Sequence, residues 1–181
     1  MLTASKRHGG KTCTPPPNAE LDRRINAAIS RQLAPSPASL TLTDAALLAH
    51  CAIDAANNAN VPIVFSLVDT HGLQRYFVSQ DNALLISHTL ATQKAWTAVA
   101  LRMPTHRLAA DVLPGASLYG LSHTQGLCCF GGGLPCWSAG VLLGGIGISG
   151  GSVEEDIAIA TQTLARFSRE RFLLTPFNES L

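Results

Sequence analysis

Charge is scarce in this chain. Asp, Glu, Lys and Arg make up 14% of its 181 residues, and the 13 basic side chains nearly cancel the 12 acidic ones. That balance excludes a nucleic-acid binder working through a strongly basic face. Aromatic residues are also few, at 6%. No stretch approaches the ~20 uninterrupted apolar residues of a membrane helix. The N-terminal MLTASKRHGGKTCTPPP has no apolar segment after its basic residues, so no secretory leader is expected there. The cysteines Cys13, Cys51, Cys128, Cys129 and Cys136 are odd in number and contain no C-x-x-C, which reads as reduced thiols in the cytosol, some packed as small apolar residues. The histidines His8, His50, His71, His88, His106 and His123 form neither H-x-x-x-H nor H-E-x-x-H, so the usual zinc-enzyme signature is missing. Apolar residues, by contrast, reach 46%, which excludes wholesale disorder.

The few charges are unevenly placed. Residues 1–40 hold six basic groups and two acidic ones, leaving the remainder acidic. Residues 1–18, with Gly9-Gly10 and Pro15-Pro16-Pro17, have too little apolar surface to offset chain entropy and read as a disordered tail. Residues 19–33 differ: Leu21, Ile25, Ala28, Ile29 and Leu33 recur at helical spacing, which predicts an amphipathic helix. Residues 34–39, APSPAS, form a linker. So short a helix is marginal alone in water, and its apolar face needs a partner.

The body spans 40–174, followed by a short tail, 175–181. Thr41 with Asp44 is an acidic capping box opening an alanine-rich helix over 42–59, with Ala45, Ala49, Ala52, Ile53 and Ala56 on one face. Val61–Val68 and Leu73–Val78 read as a hairpin around Asp69-Thr70-His71-Gly72. Asp81 is a candidate cap for a helix over 82–101, and Thr105–Ala110 a short helical turn. Strands follow at Leu127–Phe130, Leu134–Trp137 and Val141–Ser149. Ser152 with Glu155 then opens a last helix running to about Leu173. Hairpin-length connections favour an antiparallel sheet, giving an α/β (α+β) sandwich of five strands flanked by helices.

Two catalytic motifs match only superficially. Gly145-Ile-Gly147-Ile-Ser-Gly150 has the dinucleotide G-x-G-x-x-G form, but Glu154, Glu155 and Asp156 follow and would repel a pyrophosphate. Gly147-Ile-Ser149-Gly-Gly151 has the nucleophile-elbow form, yet the last histidine, His123, precedes the serine. Both fit a tight strand-to-helix turn. Gly131-Gly132-Gly133 admits two readings: close approach of a backbone or flat ligand, or a bend at a sheet edge.

The segments VPIVFSLVDTHGLQRYF (61–77), KAWTAVALRMPTHRL (94–108), PGASLYGL (114–121), FGGGLP (130–135) and GGIGISGGSVEEDIAIA (144–160) together resemble the GlcG/HbpS family of haem-binding or haem-degrading domains. KAWTA, THRL and SLYGL are most similar to the C-terminal domain of PduO proteins of propanediol-utilising microcompartments. The adenosyltransferase domain that precedes it there has no counterpart in these residues, so that activity is not expected. The resemblance implies a profilin-like fold, a homo-oligomer between dimer and octamer, and haem, with a corrinoid as the alternative ligand. It implies an iron ligand on the first helix of the domain, where His50 is the only histidine. His106 is a second candidate. Arg102 and Arg107 are candidate partners for the propionates, and Gly131, Gly132, Gly133 and Pro135 candidate neighbours of the macrocycle. Lys94 is expected to snorkel or to pair with Asp69 or Asp156, with an anion contact beside a pocket as the alternative. The leading helix then resembles an encapsulation peptide, docking on shell or cargo proteins through Leu21, Ile25, Ile29 and Leu33. The expected function is a haem-binding accessory protein inside a bacterial microcompartment in the cytoplasm. A small-molecule enzyme or sensor on the same fold, and a scaffolding cargo protein, are the alternatives.

Overall fold

The computed structural model describes residues 21–27 and 39–174. The chain divides into two units, Met1–Ser36 and Pro37–Leu181. In the first, residues 21–27 are helical, and Leu21 and Ile25 are exposed. Ile29 and Leu33, the tail 1–18 and the tail 175–181 lie outside the described residues.

The second unit is a mixed α+β fold. It contains α1 (Leu42–Ala59), β1 (Val64–Asp69), β2 (Gln74–Ser79), α2 (Leu85–Leu101), α3 (Thr105–Asp111), a 3-10 helix (Tyr119–His123), β3 (Gly133–Ser138), β4 (Val141–Ser149) and α4 (Val153–Leu174). The strands form one sheet in the order β2-β1-β4-β3, with every pair antiparallel. Four strands pair among the described residues, not five. The expected strand Leu127–Phe130 is an unpaired loop, and the Cys128 amide donates to Thr97 Oγ1 at 2.9 Å instead of to a ladder. The second expected helix begins at Leu85, not at 82, and Asp81 does not cap it. Asn82 has φ 66°, a left-handed conformation that a helix cannot include.

Both expected capping boxes form. The Asp44 amide donates to Thr41 Oγ1 at 3.1 Å while the Thr41 amide donates to Asp44 Oδ2 at 2.9 Å. At α4, the Glu155 amide donates to Ser152 Oγ at 3.2 Å and the Ser152 amide to Glu155 Oε2 at 2.7 Å. Each box satisfies two amides that a helix start leaves unpaired.

Strand alternation gives the sheet two unlike faces. Phe65, Leu67, Leu134, Ile146 and Ile148 point to one side, where α1 and α4 cover them with Leu48, Ala52, Ile159 and Phe167. The other side carries small residues, and α2 lies on it through Ala91, Ala95 and Ala98. A Cβ at Gly147 would fall 1.9 Å from the Ala91 carbonyl oxygen. The glycine is therefore what lets the α2 backbone rest on β4.

Candidate functional site

The α2 side holds the buried polar groups. Lys94 Nζ donates to Asp156 Oδ2 at 2.6 Å and to the Ile148 carbonyl at 2.9 Å. Asp156 Oδ1 accepts the amides of Gly150 at 3.0 Å and Gly151 at 3.1 Å. Both side chains of the pair are almost completely buried. Of the two expected partners of Lys94, Asp156 is the one it finds. Burial pushes the Asp156 carboxyl up from its ordinary range, against the opposing pull of Lys94 and the two amides. Its position in the first turn of α4 adds the helix dipole to that pull. The pair ties α2 to the start of α4 and leaves Lys94 no spare reach toward a ligand.

The glycine turn is packed in the same way. Gly131, Gly132, Gly133 and Pro135 are all buried. A Cβ at Gly131 would lie 2.5 Å from Ile157, at Gly132 2.6 Å from the Ile148 carbonyl oxygen, and at Gly133 2.5 Å from the Lys94 carbonyl oxygen. Gly132 also has φ 108°. The Gly133 amide donates to Thr105 Oγ1 at 2.9 Å. Of the two readings of this turn, close approach is realised by the chain's own elements.

His50 sits on the opposite side of the sheet, on the outer face of α1, and its side chain is 64% exposed. Its Nε2 is 3.4 Å from Asp54 Oδ2, one helical turn on. Leu47 and Ile53, three residues to either side, are half-buried, and Ala46 and Leu42 on the same face are exposed. The imidazole therefore stands in an apolar strip with a carboxylate behind it. Arg166 of α4 donates to Asp54 Oδ2 at 2.6 Å and to Glu170 Oε1 at 2.6 Å, and these two acids raise its already high pKa further. Beside this network runs a groove of about 190 Å³ lined by Cys51, Ala55, Asn58, Gln162, Ala165, Arg166 and Arg169.

The remaining candidates are scattered. Arg102 caps α2 and is exposed on the α2 side. His106 and Arg107 are exposed on α3. His50 lies across the sheet from all three, so one subunit does not gather the candidates into one cavity. His88 Nε2 is 3.1 Å from Ser79 Oγ and its ring meets Phe77 edge-on; His123 meets Tyr119 edge-on. No group of three His, Cys, Asp or Glu converges as a metal-ion site among the described residues. Burial raises the thiol pKa of Cys128 and Cys51, and that of Cys136 to about 12, which disfavours the reactive thiolate at these positions. Asp54, Arg166 and Glu170 were not singled out from the sequence, although His50/Asp54 and Arg166/Glu170 both carry the i, i+4 spacing that signals a helical pair.

This architecture defines a class. Residues 40–165 match the family model described as haem degrading protein HbpS-like, and the chain belongs to that family. It is 48% identical over 132 residues to the corrinoid adenosyltransferase PduO of Salmonella typhimurium, a match covering 72% of this chain and 39% of that protein. It thus spans about two fifths of the length of that relative and of its Citrobacter freundii counterpart. An uncharacterized 15.0 kDa protein from the dhaT-dhaS intergenic region of Citrobacter freundii is 42% identical over 133 residues, covering 72% of this chain and 94% of the relative. Among solved structures, the PduOC:heme complex aligns with TM-score 0.68 and 47% identity, covering 70% of this chain and 94% of that one. HbpS aligns with TM-score 0.66 and 30% identity, over 74% and 93%. No helix among the described residues is long and apolar enough to cross a membrane.

Proposed function

We propose that this chain binds haem between copies of itself, with His50 as an iron ligand. The observation that carries the reading is the exposed His50 imidazole in its apolar strip, backed by Asp54. A carboxylate behind an imidazole restricts the orientation of the ring. The residues fit the group in part: the strip supplies an apolar flank, Arg169 lies in the adjoining groove, and the groove of about 190 Å³ is too small to enclose a macrocycle. A second copy would complete the enclosure. Similarity to a chain crystallised as a heme complex supports the ligand. Haem would supply redox-active iron there; His50 would hold it and Asp54 would orient His50. A corrinoid is the alternative tetrapyrrole, supported by the naming of the adenosyltransferase relatives. Titration of the purified chain with haemin tests this. The Soret band should shift in the parent and in His106→Ala and stay unshifted in His50→Ala; an unshifted band in the parent rejects the reading.

The same reading includes residues 19–33 as a docking helix for microcompartment shell or cargo proteins, joined by the 34–39 linker to a ligand-binding domain over 40–174. The helical spacing of Leu21, Ile25, Ile29 and Leu33 supports it. Removing residues 1–36 should abolish co-purification with shells and leave the melting temperature of the body unchanged; retained co-purification contradicts the docking role.

A further inference from the structure

At one end of the sheet three turns converge. The β1–β2 hairpin turns at Gly72 (φ 78°), the β3–β4 hairpin at Ala139 (φ 47°) and Gly140 (φ 78°), and α2 ends at Arg102 (φ 54°). The antiparallel pairing of Asp69 with Gly144 puts both hairpins at the same end. Between them lies a cleft of about 610 Å³, whose lining includes His71, Gly72, Trp96, Arg102, Trp137 and Leu142. That volume falls in the range of small-molecule sites, roughly 300–1,000 Å³.

The lining is unusual for this protein. The chain has two tryptophans, and both stand in this cleft, 40% and 47% exposed. Trp96 also walls a second, neighbouring cleft of about 300 Å³ with Gln74, Gln93 and Gln125. Its indole is braced from behind, since a Cβ at Gly72 would lie 2.8 Å from Nε1. Braced aromatic rings present a fixed face suited to stacking on a flat partner. Arg102 occupies a left-handed position that usually takes Gly or Asn. An arginine there costs backbone strain, yet it forms no ion pair with any described residue and is exposed at the cleft. The nearest carboxylate in the hairpin, Asp69, is already engaged: its Oδ1 accepts the amides of His71 and Leu73 at 2.9 and 3.0 Å, and its Oδ2 is 3.7 Å from Arg75.

We infer that this cleft binds a flat aromatic compound carrying an anionic group, its ring against the indoles of Trp96 and Trp137 and its anion on Arg102. Guanidinium suits this task because it pairs with carboxylate or phosphate in a planar fork and also stacks on rings. The site is independent of the haem reading, because His50 lies on the other side of the sheet.

The two tryptophans make the test direct, since intrinsic fluorescence of the full chain reports on this cleft. The probe is 2-naphthoate, with uncharged 2-naphthamide as its control. Naphthoate should quench the emission saturably. Arg102→Gln and the amide should each weaken binding about tenfold or more, the loss expected for one charge-assisted contact. Trp137→Ala should weaken binding with an unchanged circular dichroism spectrum, and His50→Ala should leave it intact. An absence of saturable quenching at millimolar naphthoate overturns the proposal. So does equal binding of acid and amide, or full binding by Arg102→Gln.

Discussion

On the side of the sheet covered by α1 and α4, cohesion comes from volume: Leu48, Phe65, Leu67, Ile146, Ile148, Ile159 and Phe167 fill the layer with large apolar side chains. On the side covered by α2, cohesion comes from proximity and hydrogen bonds. There Ala91, Ala95 and Ala98 lie on glycine-bearing strand, and Lys94, Thr97, Thr105 and Asp156 are buried with partners. The two layers should fail in opposite ways. A core of large residues is hurt by removing atoms, and a layer of small residues by adding them. A buried ion pair is hurt most by removing one partner, because the other is left charged in a poorly solvating place.

The largest effect is expected at the ion pair. Lys94→Met should cost about 3–5 kcal/mol of unfolding free energy by leaving Asp156 unpaired. Lys94→Met combined with Asp156→Leu should recover part of that loss in urea titrations. A single variant within experimental error of the parent would show that the pair does not join α2 to α4. The next effects come from exchanging the two kinds of change between the faces. Leu48→Ala should cost about 2–5 kcal/mol through a cavity. Gly147→Ala should cost about 1–3 kcal/mol through forced separation of α2 from β4. The reverse control, Ala91→Gly, should be tolerated better than Gly147→Ala, because it adds no atom to the contact; equal losses from both would remove the close-approach account of this face.

The apolar-cored side was legible in the sequence and the small-residue side much less so. The alanine stripe and capping box gave α1 its observed limits, Leu42–Ala59, and Ser152 with Glu155 marked the start of α4. Such signals are local: a cap and a 3.6-residue period lie within one turn or one helix. Leu127–Phe130 has the composition of a strand, but its pairing is decided by Thr97, which takes the Cys128 amide from a distant part of the chain. Asp81 has the chemistry of a cap, but the left-handed Asn82 separates it from the helix. At the candidate sites the same division holds. Lys94 and His50 were both found by resemblance, and the pairing of Lys94 with Asp156 was one of several readings left open. The Trp96–Trp137 cleft was not visible at all, since it is assembled from three turns that only the sheet topology brings together.

The central functional proposal is that haem sits between two copies of the chain with His50 as an iron ligand. Quantitative haemin titration combined with sedimentation of the loaded protein tests it most directly. One haem per two chains is predicted, carried by a species of at least dimer mass, with both the haem and the mass increment lost in His50→Ala. One haem per chain on a monomer, or unchanged haem uptake by His50→Ala, would contradict it.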